Sequence, residues 1–145
     1  MNSQLRLSFE TSRHLPRKLE SQPIAAPGPY TPTIDHWVLQ FHGVAPERIN
    51  HPERLQELLN GVVDRLDLTR VSEHSHYFQP GVSTVIILSE SHLSAHTWPE
   101  YGYMHVDIVT CVRKLTVEAL EEAFQEAFSP THSHLVQLDY MMAGK

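Results

Sequence analysis

The chain has 145 residues, 11 basic against 17 acidic side chains, a formal net charge of -6 and one cysteine. Such a length predicts one domain, and the lone Cys111 excludes an intrachain disulfide framework and a multi-cysteine zinc site, which points to a reducing cytoplasm. The acidic balance argues against nucleic acid held on a broad basic face, and no apolar run is long enough for a membrane span, so small molecules or protein partners are the expected ligands.

From Met1 to about Thr33 the chain is polar and then rich in proline (Pro23, Pro27, Pro29, Pro32), without apolar periodicity, and is expected to be a disordered arm preceding a single domain over 34–145. No secretory signal is evident in it. Trp37, Leu39 and Phe41 alternate with His36, Val38, Gln40 and His42, the period of a strand with one face buried, and Gly43 closes it. Leu55, Leu58, Leu59, Val62, Val63 and Leu66 then recur at helical spacing, with Asn50 and Glu53 in the form of a capping box. Arg70 to Phe78 is a second strand. The β-branched run Val82 to Leu88 is a third, and its continuity predicts cover on both faces. His92 to Trp98 and Tyr103 to Cys111 read as two more strands joined through the turn-forming Pro99, Glu100, Tyr101 and Gly102. Thr116 can cap a helix with the apolar stripe Val117, Leu120, Phe124 and Phe128, and a last strand carries Val136, Leu138, Tyr140 and Met142 on one face. The order β-α-β-β-β-β-α-β fits an α+β two-layer sandwich, helices packed on one face of a largely antiparallel sheet.

Polar residues crowd the strands between Gly81 and Cys111: Ser83, Ser89, Glu90, Ser91, His92, Ser94, His96, Glu100 and Asp107. Buried polar groups are costly without a partner or a purpose. A serine, a histidine five residues on and a lone thiol are parts of a nucleophilic site, although serine and histidine fall near one another by chance in many chains. Histidines His74, His76, His132 and His134 recur in two i, i+2 pairs, but no acidic or cysteine pattern converges with them, so no metal site is expected. The acidic run Glu118, Glu121, Glu122 and Glu126 reads as a solvated helix face.

The literal string is more specific. Gly81-Val82-Ser83, then Ser89-Glu90-Ser91-His92-Leu93-Ser94-Ala95-His96-Thr97-Trp98-Pro99-Glu100-Tyr101-Gly102-Tyr103, then Val106-Asp107 and Thr110-Cys111 closely resemble the bacterial and archaeal S-adenosylmethionine decarboxylase proenzymes. The resemblance implies self-cleavage between Glu90 and Ser91: the Ser91 hydroxyl attacks the Glu90 carbonyl to give an ester, and β-elimination leaves a pyruvoyl group derived from Ser91. It further implies that Ser83 assists the oxyanion and His96, of a side-chain type that titrates near neutrality, is the processing base. The pyruvoyl group would form a Schiff base with S-adenosylmethionine and act as the electron sink that pyridoxal phosphate provides elsewhere, with Cys111 as proton donor. Tyr77, which stands where the family usually has phenylalanine, Leu93 and Glu100 match its substrate-site positions. A homodimer with sites built between protomers and a role in supplying aminopropyl groups for spermidine are implied as well.

The chain departs from the pattern at Met104 and His105, at Val112 to Lys114, and at Gln79-Pro80. Two alternatives stay open: a pyruvoyl-dependent arginine or ornithine decarboxylase on the same fold, and a non-catalytic subunit that regulates an active homologue.

Overall fold

The computed structural model describes residues 32–111 and 115–140. Most of the proline-rich arm, Val112 to Lys114 and Met142 lie outside the described residues. Six strands, β1 (Asp35–His42), β2 (Arg70–Tyr77), β3 (Val82–Leu88), β4 (Ser91–Trp98), β5 (Tyr103–Thr110) and β6 (His132–Leu138), form one sheet in the order β2-β3-β4-β5-β1-β6. Every pairing is antiparallel. Three helices complete the domain: α1 (Pro46–Ile49), α2 (Pro52–Arg65) and α3 (Val117–Phe128). The architecture is the expected α+β two-layer sandwich.

Period-2 alternation builds the core. Trp37, Leu39 and Phe41 of β1, Leu93 and Ala95 of β4, and Met104, Val106 and Ile108 of β5 all point to one side, and register sets them in rows, with Ile108 opposite both Trp37 and Leu93. Onto that side α2 lays Leu55, Leu59, Val62 and Val63, and α3 lays Leu120, Ala123, Phe124 and Phe128. Phe124 stacks on Phe41 with ring centres 4.7 Å apart. Helix α3 starts as expected, the Thr116 hydroxyl accepting the Ala119 N–H at 3.2 Å. Its acidic residues face solvent, and Glu122 and Glu126 reach Arg65 of α2.

Two expectations are corrected. Asn50 and Glu53 form no capping box. Asn50 instead ends α1, and α2 begins at Pro52, whose ring presets the first helical φ, so His51 takes the cap position without a side-chain cap bond. Strand β3 is covered on one face only: Val82, Thr84, Ile86 and Leu88 are buried, while Val85 and Ile87 remain 38% and 43% exposed. In β6 the core contact comes from Leu135, and Val136 and Leu138 share the uncovered face with Val38 and His36 opposite them. In both β3 and β6, β-branched and aliphatic side chains stand on the sheet face that no helix covers.

Short α1, absent from the sequence pattern, is fixed through its last two residues. Arg48 donates to the Ala127 carbonyl at the end of α3 (2.6 Å), and the Ile49 carbonyl accepts the hydroxyl of Thr97 (2.8 Å). That same Thr97 oxygen accepts the Val82 N–H at 2.9 Å, so one buried hydroxyl joins α1, β3 and β4. Thr97→Val keeps the shape and leaves two buried backbone groups unpaired, and is expected to lower unfolding free energy by about 1–3 kcal/mol in urea titrations.

Candidate active site

The face of the sheet opposite the helices is polar. Across its centre run the registered rows His76, Ser83, His96, His105, Gln40, His134 and, one step along, His74, Val85, Ser94, Asp107, Val38, Val136. A third row holds Ile87, His92, Val109, His36 and Leu138. Despite this wealth of imidazoles, no group of three or more His, Cys, Asp or Glu among the described residues is arranged to hold a metal ion. No helix among the described residues is long and apolar enough to cross a membrane.

The residues singled out by the motif fall into two clusters at opposite ends of β4. At one end, the Ser83 hydroxyl and His96 Nδ1 are hydrogen-bonded at 2.7 Å across the β3–β4 ladder, with the His105 ring 6.3 Å from that of His96. Glu100 is exposed on the 3-10 turn Pro99–Tyr101 that follows β4. Aromatic rings join this face as well: Phe78, stacked with His76 at 5.8 Å, and Trp98 and Tyr103, whose rings lie 5.4 Å apart. Gly81 makes room for it, since a Cβ there would lie 2.5 Å from Phe78 Cε2 and 2.8 Å from the Thr97 carbonyl oxygen. Tyr77 lies opposite the buried Val82 on the helix side of edge strand β2, its ring 5.7 Å from that of His51. Leu93 is fully buried among the core residues, because alternation along β4 turns odd positions toward the helices. The side chains expected at a substrate site are thus divided: Glu100 is exposed, Leu93 belongs to the core and Tyr77 faces the helix side, while Phe78 lies against His76.

At the other end of β4 lie Glu90, Ser91 and Cys111. The turn Ser89-Glu90 between β3 and β4 is tied down through the Glu90 carboxylate, which accepts the Thr69 N–H at 3.1 Å, and through the Ser89 N–H, which donates to the Thr69 carbonyl at 2.9 Å. The Glu90 carbonyl oxygen accepts the backbone N–H of Cys111 at 2.9 Å. Cys111 itself is exposed with a free thiol, and its carbonyl accepts the Thr33 hydroxyl at 2.8 Å. Ser91 has φ +150°, a region L residues rarely adopt, and conformations of this kind cost roughly 1–3 kcal/mol. Strict alternation would send its side chain to the helix side beside Thr110. Instead its Oγ lies 3.4 Å from Nδ1 of His92, on the open face.

Sequence reasoning missed the surroundings of Asp107. Its Oδ1 accepts the Ser94 hydroxyl, while Oδ2 lies 3.4 Å from His36 Nε2 and 3.5 Å from His92 Nε2. His36 Nδ1 pairs with the Tyr140 hydroxyl at 2.5 Å. Polar positions at i, i+2 along β4 and β5 were the available signal, since they had to share one face.

The family profile described as S-adenosylmethionine decarboxylase matches residues 35–139. A crystal structure of the adenosylmethionine decarboxylase from Aquifex aeolicus superposes with a TM-score of 0.67 and 31% identity, covering 74% of this chain and 90% of that one. Among relatives named S-adenosylmethionine decarboxylase proenzyme, that of Archaeoglobus fulgidus is 38% identical over 103 residues, 70% of this chain and 92% of the relative. That of Persephonella marina is 44% identical over 88 residues, 59% of this chain and 66% of the relative, just under two thirds of its length. The fold is the two-layer fold of that adenosylmethionine decarboxylase structure. This chain belongs to the S-adenosylmethionine decarboxylase family.

The unusual φ at Ser91 can be tested apart from chemistry. Neither Ser91→Gly nor Ser91→Ala retains a nucleophile, but glycine accepts φ +150° without the Cβ clash. After allowance for its greater freedom in the unfolded chain, Ser91→Gly is expected to be about 1 kcal/mol more stable than Ser91→Ala in denaturant unfolding.

Proposed function

We infer that this protein is a self-processing decarboxylase of S-adenosylmethionine, cut between Glu90 and Ser91, and that it works as a homodimer. The observation carrying this is the Glu90–Ser91 peptide: its carbonyl already holds a backbone donor from Cys111, and its serine sits in a strained conformation. A preset N–H at the oxygen that gains charge is what acyl transfer requires, and ground-state strain favours leaving the amide. A pyruvoyl group left at Ser91 would supply the electron sink for decarboxylation. The chain's own contribution is then to bind, orient and move protons around that position.

The separation of the two clusters supports the dimer. Ser83 and His96 are five residues of extended strand from Ser91, roughly 16 Å, too far to act on it within one protomer. A second copy facing the open sheet about a two-fold axis near Ser94 would bring Ser83, His96, Phe78 and Glu100 of one protomer to Ser91 and Cys111 of the other. Val38, Val85, Ile87, Val136 and Leu138 offer that contact apolar surface. In the composite site His96 serves as the base for elimination and Ser83 supports the oxyanion. The Cys111 thiol protonates the product carbon, a role that fits a reducing cytoplasm. Phe78 offers a flat face to adenine and to the sulfonium, worth about 0.5–2 kcal/mol, and Glu100 accepts from ribose hydroxyls. An arginine or ornithine substrate carries no adenine for that ring to stack on.

Intact mass measurement of the purified chain is expected to give fragments of about 10 and 6 kDa, scaled from chain length, while Ser91→Ala stays whole. A single uncut species from the parent chain would overturn self-processing. Ser91→Ala and His96→Ala, each unprocessed alone, are expected to yield cut chains when co-expressed, because one site of the mixed dimer is intact, and only the His96→Ala chain should be cut. Cys111→Ala is expected to cut normally and to lose carbon dioxide release from S-adenosylmethionine by about 100-fold or more, read with labelled substrate alongside arginine and ornithine controls.

A further inference from the structure

Ser91 needs a base to start its attack, and among the described residues its hydroxyl meets the imidazole of the next residue. His92 Nδ1 lies 3.4 Å from Ser91 Oγ, and its other ring nitrogen, Nε2, faces Asp107 Oδ2 at 3.5 Å. A carboxylate opposite Nε2 favours the tautomer with the proton there, leaving Nδ1 as an acceptor toward the serine. Serine, imidazole and carboxylate thus stand in the order that nucleophilic sites use, with the carboxylate orienting the base. Asp107 is itself held by Ser94, which donates to Oδ1, and His36, whose Nδ1 is engaged by the Tyr140 hydroxyl, places Nε2 at 3.4 Å from Oδ2 without a hydrogen bond to it. On the β3 side His92 faces only Ile87, and Val109 stands opposite it on β5, so Asp107 is the charged group that decides its tautomer.

We propose that His92 is the catalytic base for the first step of self-cleavage, acting on Ser91 within the same protomer, with Asp107 as its positioning residue. The inference rests on the self-processing reading and divides that reaction into a cis step and a trans step. In the cis step the Ser91 hydroxyl proton passes to His92 Nδ1 as Oγ bonds to the Glu90 carbonyl carbon, and the carbonyl π electrons move to the oxygen held by the Cys111 N–H. Collapse of that adduct re-forms the carbonyl and breaks the C–N bond. The Ser91 nitrogen leaves with the proton returned by His92. The amide has become an ester with no co-reactant and no change of oxidation state. Removal of the Ser91 α-proton then falls to His96 of the second copy. Placing the base beside its own nucleophile explains why Ser91 adopts φ +150°: in an ordinary strand, side chains of neighbouring residues point to opposite faces and could not meet.

The test is made on the full chain in a His96→Ala background, where elimination is stopped and ester accumulates. Neutral hydroxylamine cuts an ester and spares an amide, so fragments formed on its addition measure the first step. His96→Ala alone is expected to be cut by hydroxylamine. Adding His92→Gln should slow ester formation by about 100-fold or more, the range for loss of a general base. Adding His92→Gly should do the same, with the rate returning on addition of imidazole in proportion to its free-base concentration. Asp107→Asn should slow the step and Asp107→Glu recover part of it. Ester formation in His92→Gln at the rate of the His96→Ala parent would overturn the assignment, as would a folded His92→Gly chain that imidazole does not rescue. If the unmutated protein splits while His96→Ala forms no ester, both steps belong to His96 and the proposal fails alone. If the unmutated protein never splits, the self-processing reading fails with it.

Discussion

Two helices lie on one face of six strands, and that one-sided cover governs everything else in the molecule. It commits each strand residue either to a dry layer that holds the protomer together or to an uncovered layer that contributes little to folding. Leu93 and His92 are neighbours with nothing in common, one fully buried against the helices and the other beside Asp107 on the open side. Because the dry layer is apolar apart from groups such as Thr84, Thr97 and Thr110, the polar residues of β4 and β5 stand together on the other side, where imidazoles and hydroxyls can meet across the ladders. The apolar core and the polar candidate site therefore use interleaved positions of the same strands.

The turn between β3 and β4 is where the two layers exchange residues. Extended backbone alone would hold Ser91 in the dry layer, and its unusual φ carries the hydroxyl across to His92. The neighbours that hold this conformation come from distant parts of the chain: Thr69 anchors Ser89 and Glu90, Cys111 holds the Glu90 carbonyl, and Thr33 anchors Cys111. Strain of this sort persists only where the surroundings over-determine it. A point of attachment on the segment before β1 also gives residues far from the motif a hold on its geometry.

Much of this was legible in the sequence, for a reason visible in particular residues. Trp37, Leu39 and Phe41, and Met104, Val106 and Ile108, follow the period of a half-buried strand, and the stripes of α2 and α3 match theirs except at Val117, which is exposed at the start of α3. Val85 and Ile87 misled because an aliphatic run carries no mark of which of its faces stays open. Asn50 and Glu53 misled because capping spacing ignores the proline between them, which moves the helix start. At the site, proximity in sequence was the poor guide: Ser91 and His96 look adjacent in the string, yet an extended strand places them far apart in one protomer. Conversely, the contact between Ser91 and His92 was hidden by the rule that strand neighbours diverge, and the Cys111 N–H on the Glu90 carbonyl involves only backbone atoms that a sequence does not display. Phe78 was masked by Tyr77 because the turn through Gln79-Pro80-Gly81 ends the alternation that would tell two adjacent aromatics apart.

The position of the Glu90–Ser91 bond also has a bearing on how the molecule could ever be assembled. Strand β3 is held by β2 as well as by β4, and β4 by β5 as well as by β3, so a break in the turn between them leaves both pieces gripped in one sheet. Once broken, that turn no longer joins β3 directly to β4, and rejoining the pieces after unfolding becomes a second-order encounter rather than a local one. A chain cut there folds once, as a single polypeptide, and afterwards depends for its lifetime on the slowness of unfolding rather than on a reversible balance between folded and unfolded states.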